Sequence, residues 1–217
     1  MLKINVFSIA YIMNAITKSI NCFLFSVLLL LLATPVFAQV NHSPAGNQLK
    51  NFTNSLAQVN ITFTFPEGFK EIKAPNTDAF PFDYAMELPD VDFEVWMRIN
   101  TQKENEKFLA DKNIHIATDS LYKSLAKDQI TAFSAENSYL KRGLPSYILD
   151  RYNADAGSTY LLNLDDSPIT KHYKYALLVV LQKNGAGTIM AICFTNEKGP
   201  EFFKNMNLAS NCLKFKD

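Results

Sequence analysis

Residues 60–65 (NITFTF) alternate strictly, with Ile61, Phe63 and Phe65 on one side, the mark of a half-buried strand. The turn chemistry of Pro66, Glu67 and Gly68 stops it. Extended segments follow at 69–73 and 82–88. Residues 92–100 (DFEVWMRIN) form a two-faced strand, with Phe93, Val95, Met97 and Ile99 on one face and Glu94, Trp96 and Arg98 on the other. Thr101 and Glu104 have capping-box spacing, which predicts a short helix carrying Phe108 and Leu109. Leu121, Tyr122, Leu125, Ala126, Ile130 and Phe133 recur at helical intervals and predict a longer helix, capped by Thr118 or Asp119.

Beyond the break at Gly143-Leu144-Pro145, residues 147–151 and 158–164 read as strands around a turn at 153–157. Residues 173–182 are apolar on both faces in the middle, as a central strand must be. Asn184-Gly185-Ala186-Gly187 turns the chain back into residues 188–194, the second arm of a hairpin. Pro200 opens a helix with Phe202, Phe203, Met206 and Ala209 on its apolar face, and Leu213 and Phe215 close with a short strand. Short links between strands predict a largely antiparallel sheet with helices on both faces. The fold class is α+β, arranged as a single α/β/α sandwich.

The first 38 residues follow a different pattern. Residues 22–34 (CFLFSVLLLLLAT) are an apolar run of 13, followed by Pro35 and small residues at Val36 and Ala38. This is the form of a secretory signal peptide cleaved after Ala38. The run falls short of the roughly 20 apolar residues that span a bilayer. Cys22 precedes the apolar core, whereas a lipoprotein needs its cysteine after it. Met13 is an alternative start that shortens the peptide to 26 residues. The reading is a signal peptide at 1–38, a flexible lead at 39–47 with Leu49, Phe52 and Leu56 beginning a weak helical stripe, and one domain at 48–217. The destination is secreted or periplasmic, and the mature chain does not span a membrane.

Cleavage changes the charge. The chain carries 21 basic and 21 acidic residues, and the signal removes Lys3 and Lys18, leaving a net charge of −2. No basic face is implied, so nucleic acid is a poor partner. The 179 remaining residues are enough for one domain with a substantial core. Cys193 and Cys212 remain as an even pair in a compartment that permits disulfides. They either bridge or sit as two buried thiols.

The segment 61–69 (Ile-x-Phe-x-Phe-Pro-x-Gly-Phe), the strand Phe93-Glu94-Val95-Trp96 and the hairpin with closing helix at 173–209 resemble one known fold. It is shared by the photosystem II extrinsic protein PsbP, a Ran-binding nuclear import factor and small exported bacterial domains. The resemblance spans about residues 48–217. It implies a binding or accessory domain rather than an enzyme, and transfers no functional residue.

Catalytic signatures are sparse. The chain has no nucleophile elbow, zincin helix, Cys-x-x-Cys or P-loop. Gly185 and Gly187 belong to a hairpin turn rather than a dinucleotide fingerprint. Residues 153–157 (NADAG) hint at a calcium loop, but the twelfth position from Asn153 is Leu164 where a glutamate is required. An irregular calcium site borrowing Asp150 or Asp165 is the remaining form. Asp92 and Glu94 share a strand face and could act as paired carboxylates. The alternative is ordinary sheet chemistry, a Glu94–Arg98 ladder across the Trp96 indole. His42, His115 and His172 have no local nucleophile or metal partner. Asn41, Asn51 and Asn60 sit in glycosylation sequons that matter only in a glycosylating host.

These observations favour an exported binding or accessory module without a cofactor, acting on a protein or small ligand of the cell envelope. Phe80, Phe82, Tyr84 and Trp96 are the candidates for its recognition surface, with core packing as their alternative role. The competing readings are a secreted hydrolase using Asp92 and Glu94 or a His115-centred site, and a structural envelope component.

Overall fold

The computed structural model describes residues 44–76, 81–111, 120–134 and 139–217. The signal segment and its cleavage site, Phe80, His42, His115 and the predicted caps Thr118 and Asp119 lie outside the described residues.

The chain begins with α1 (Pro44–Gln58), β1 (Ile61–Phe63), β2 (Lys70–Ile72), β3 (Tyr84–Glu87) and β4 (Phe93–Thr101). Helices α2 (Gln102–Asp111) and α3 (Leu121–Phe133) follow, then β5 (Tyr139–Gly143), α4 (Ser146–Tyr152) and β6 (Ala156–Asn163). Strands β7 (Tyr175–Lys183) and β8 (Gly187–Thr195), helix α5 (Pro200–Ser210) and β9 (Leu213–Phe215) complete the chain. Seven strands form one antiparallel sheet in the order β2-β3-β4-β8-β7-β6-β5, and β1 pairs with β9 in a second, two-stranded sheet. This is an α+β fold with a largely antiparallel sheet and helices on both sides.

The alternating pattern of β4 divides the core in two. Its front face (Phe93, Val95, Met97, Ile99) packs with Phe52 and Leu56 of α1, Ile61 of β1, Phe202 of α5 and Leu213 and Phe215 of β9. Its back-face Trp96 packs with Phe194, Phe82 and the α3 stripe Leu121, Leu125, Ile130 and Phe133. The Trp96 and Phe194 ring centroids are 4.3 Å apart. Removing an indole buried to this degree costs about 3–5 kcal/mol.

The capping box forms as the spacing predicts. The Thr101 amide donates to Glu104 Oε2 at 2.7 Å, and the Glu104 amide donates to Thr101 Oγ1 at 3.3 Å. The β7–β8 hairpin also forms, and its glycine has a steric role. Gly187 has φ +158°, and a Cβ there would lie 2.5 Å from the Asn100 carbonyl oxygen and 2.7 Å from Val59 Cγ1.

Three local readings need correction. Residues 147–151 are helical rather than a strand, because Pro145 opens a turn in which the Ile148 and Leu149 amides both donate to its carbonyl. Residues 139–143 form an edge strand that the pattern hides, since every position is exposed. Helix α1 starts at Pro44, within the segment read as a flexible lead.

Candidate functional site

The front face is not covered evenly. Register aligns one row of side chains across four strands, Val95–Cys193–Leu177–Leu161, and extends it to Leu140 on β5. A second row runs Met97–Ala191–Val179–Thr159–Arg142. Over β4, these rows lie beneath α1, α5 and the β1–β9 pair. Towards β5, among the described residues, only α4 and α5 reach them. Leu161, Val179 and Ala191 are therefore half-buried although they sit well inside the sheet.

Above this floor lies a cavity of about 510 Å³. Its walls are Leu144 and the α4 residues Ile148 and Tyr152 on one side, and Phe203, Met206 and Ala209 of α5 with Leu213 on the other. Leu140 (74% exposed) and Phe203 (44% exposed) place apolar surface at the rim. The volume lies within the range of about 300–1,000 Å³ usual for small-ligand sites. The charged residues lining it are all cations, Lys141, Arg142 and Arg151.

The local sequence explains the opening. Helix α4 is only seven residues long and ends at Asn153 in the left-handed conformation, φ 50°. The Asn153 side chain fixes that end, donating to the carbonyls of Phe215 at 3.3 Å and Lys216 at 2.9 Å and accepting from Lys183 Nζ at 2.8 Å. Asp155 Oδ2 accepts from the Asn184 amide at 2.8 Å. The 153–157 segment thus anchors the C-terminal tail and the hairpin turn. Among the described residues, no cluster of three or more His, Cys, Asp or Glu is placed to hold a metal.

Cys193 and Cys212 both line the cavity and are free thiols in the structure. Burial pushes the Cys193 thiol up to about 12, helped by the neighbouring Cys212, and pushes Cys212 up to about 12 as well. Burial likewise raises the Tyr152 phenol. All three are neutral near pH 7, so the inner wall carries no charge.

The acidic pair is used otherwise. Glu94 is 5% exposed. Lys171 Nζ donates to both its carboxylate oxygens at 2.7 and 2.9 Å, Trp96 Nε1 donates to Oε2 at 2.9 Å, and the Tyr173 hydroxyl donates to Oε1 at 3.3 Å. Burial, reinforced by Glu94, raises the Tyr173 phenol. Asp92 is exposed and accepts from Asn196 Nδ2 at 3.0 Å. Glu94 is a buried ion-pair anchor and Asp92 a surface residue, so they do not face a common cleft. The partner of Glu94 is Lys171 rather than Arg98, and the indole donates to the carboxylate instead of separating two charges.

Three of the four aromatic residues proposed for recognition are in the core. Phe82 is 3% exposed, and Tyr84 and Trp96 are 0% exposed. Both faces of β3 and β4 are covered, so neither can present a ring to solvent. His172 is exposed, with Nδ1 2.5 Å from Asp166 Oδ1. A second, polar cleft of about 260 Å³ lies on the back face between α2 and α3, where Arg98, Lys107 and Glu104 meet the buried amides Asn100 and Gln129. Among the described residues, the Oδ1 of Asn100 and the Oε1 of Gln129 have no hydrogen-bond partner there.

The cavity residues Leu161, Val179 and Ala191 are indistinguishable in sequence from core, because they alternate on strands whose both faces are apolar. For Arg142 and Arg151 the sequence offers only their positions on either side of the Gly143-Leu144-Pro145 break. Compared with known families and with curated proteins, the chain matches none of either.

Proposed function

We propose that this chain is an exported binding module whose ligand is apolar and occupies the front-face cavity. The observation that carries this reading is the half-buried apolar floor on central strands of the sheet. Burying such surface stabilises a complex by roughly 25 cal/mol per Å². An apolar molecule gains that energy here without displacing a charged inner wall. The amino-terminal apolar segment with its small-x-small end supports export to the periplasm or beyond. The PsbP-like pattern of strands supports a binding or accessory role. No helix among the described residues is long and apolar enough to cross a membrane.

The test is a fluorescence titration of the full chain with N-phenyl-1-naphthylamine, a neutral apolar probe. The reading predicts saturable binding at one site, weakened when Ala191→Leu grows into the cavity from its floor. Unsaturable binding, or binding unchanged in that variant, contradicts it.

A further inference from the structure

Resting on the reading of the cavity as an apolar-ligand site, we propose that its ligand is a single-chain amphiphile with an anionic head, held by Arg142 on β5 and Arg151 on α4. The floor has a direction. The row Met97–Ala191–Val179–Thr159–Arg142 crosses four inter-strand gaps. At about 4.8 Å each it is about 19 Å long. It is apolar at the β4 end and cationic at the β5 end. A molecule lying along it must be apolar for most of its length and polar at one tip.

The sign of that tip follows from the charges. Among the described residues, no carboxylate lines the cavity, and three cations do. Lys141 is engaged elsewhere, its Nζ lying 5.7 Å from the centroid of the back-face Tyr160 ring. Neither the Arg142 nor the Arg151 guanidinium is in an ion pair or a hydrogen bond among the described residues. Two guanidinium forks beside an apolar cavity match a carboxylate or phosphate, which they can bind bidentately. They offer nothing to a neutral head and repel a cationic one. A fatty carboxylate and a lysophosphate share this chemistry.

The experiment displaces N-phenyl-1-naphthylamine from the full chain with dodecanoate, dodecyl phosphate, dodecanol and dodecylammonium. Both anions should compete at about tenfold lower concentration than dodecanol, the equivalent of about 1.4 kcal/mol, with dodecylammonium weakest. In Arg142→Gln/Arg151→Gln the anions should fall to the level of dodecanol, each competition being read against the variant's own probe affinity. A lead of dodecanoate over dodecyl phosphate assigns a carboxylate head, and the reverse a phosphate head. Equal competition by dodecanol and the anions, or a preference that survives in the double variant, overturns the head-group assignment while leaving the apolar site intact. Absence of probe binding overturns both.

Discussion

Val179 and Ala191 stand opposite each other in the register of two central strands, yet both are only half-buried. Their neighbours on the opposite face, Leu178, Val180 and Ile192, are fully buried, while Met190 is 1% exposed. A sheet position that is central and still reachable marks where the covering layer stops. The difference arises on the front face, where α4 spans seven residues and leaves a gap beside α5.

Filling the gap should separate binding from stability. Ala191→Leu grows a side chain into open volume, so it avoids the strain of overpacking a closed core. Affinity for an apolar probe should fall at least about tenfold, while the thermal midpoint stays within about 4 °C. A large drop in midpoint with binding retained contradicts the placement of this residue on the cavity floor.

The Glu94 anchor should be asymmetric. Glu94→Ala leaves the Trp96 Nε1 and Tyr173 hydroxyl without their acceptor in a buried site, and should cost about 3 kcal/mol in urea unfolding. Lys171 is 48% exposed at its side chain. Lys171→Ala should therefore cost less, although it leaves the carboxylate without its counter-charge. Equal losses, or a larger loss for Lys171→Ala, contradict the hydrogen-bond network as the main contribution.

Strand β4, helix α3 and the β7–β8 hairpin were legible because each carries a local signal, whereas the start of α1 reads as a flexible lead. β4 alternates, α3 repeats at three and four residues, and the Asn-Gly-Ala-Gly turn fixes the hairpin. The site was not legible, for physical reasons. Helix α4 is rich in Tyr and Ile, which favour strands, and only Pro145 and the left-handed Asn153 make it a helix. Strand β5 is exposed at every position and held to β6 by backbone pairing, so its side chains show no alternation. Tyr84 and Trp96 belong to opposite core clusters, and alternation alone does not reveal that both faces are covered. The accessible residues are small or aliphatic, and their accessibility comes from a short helix distant in sequence.

The buried thiols predict a pH dependence. Both stand at about 12 in the folded chain, against about 8.5 when exposed. Above the unfolded value, the unfolded state releases protons that the folded state keeps. The stabilisation from the neutral thiols is therefore complete below about pH 8.5 and lost as pH rises towards 12, by at most about 1.4 kcal/mol per thiol per pH unit. Urea unfolding at pH 8 and pH 10 should show lower stability at pH 10. Cys193→Ala/Cys212→Ala should flatten the difference, and an equally steep fall in that variant assigns the effect to other groups. Iodoacetamide at pH 8 should leave both thiols unmodified in the folded chain and label them in urea.

Glu104 tests the start of α2. Its Oε2 accepts from both the amide and the hydroxyl of Thr101, at 2.7 and 2.8 Å. Glu104→Ala should lower stability by about 1 kcal/mol, with apolar-probe affinity unchanged because α2 lies on the opposite face. Loss of probe binding would place the ligand on the back face instead.

Methyl chemical-shift mapping of the full chain during probe titration tests the apolar front-face site most directly. Strand β7 supplies an internal control, since Leu177 and Val179 face the cavity while Ala176, Leu178 and Val180 face the opposite core. Saturable shifts at Leu161, Leu177, Val179 and Ala191, with little change at Ala176, Leu178 and Val180, are the predicted result. Shifts confined to the opposite-face methyls, or no saturable shifts at all, would contradict it.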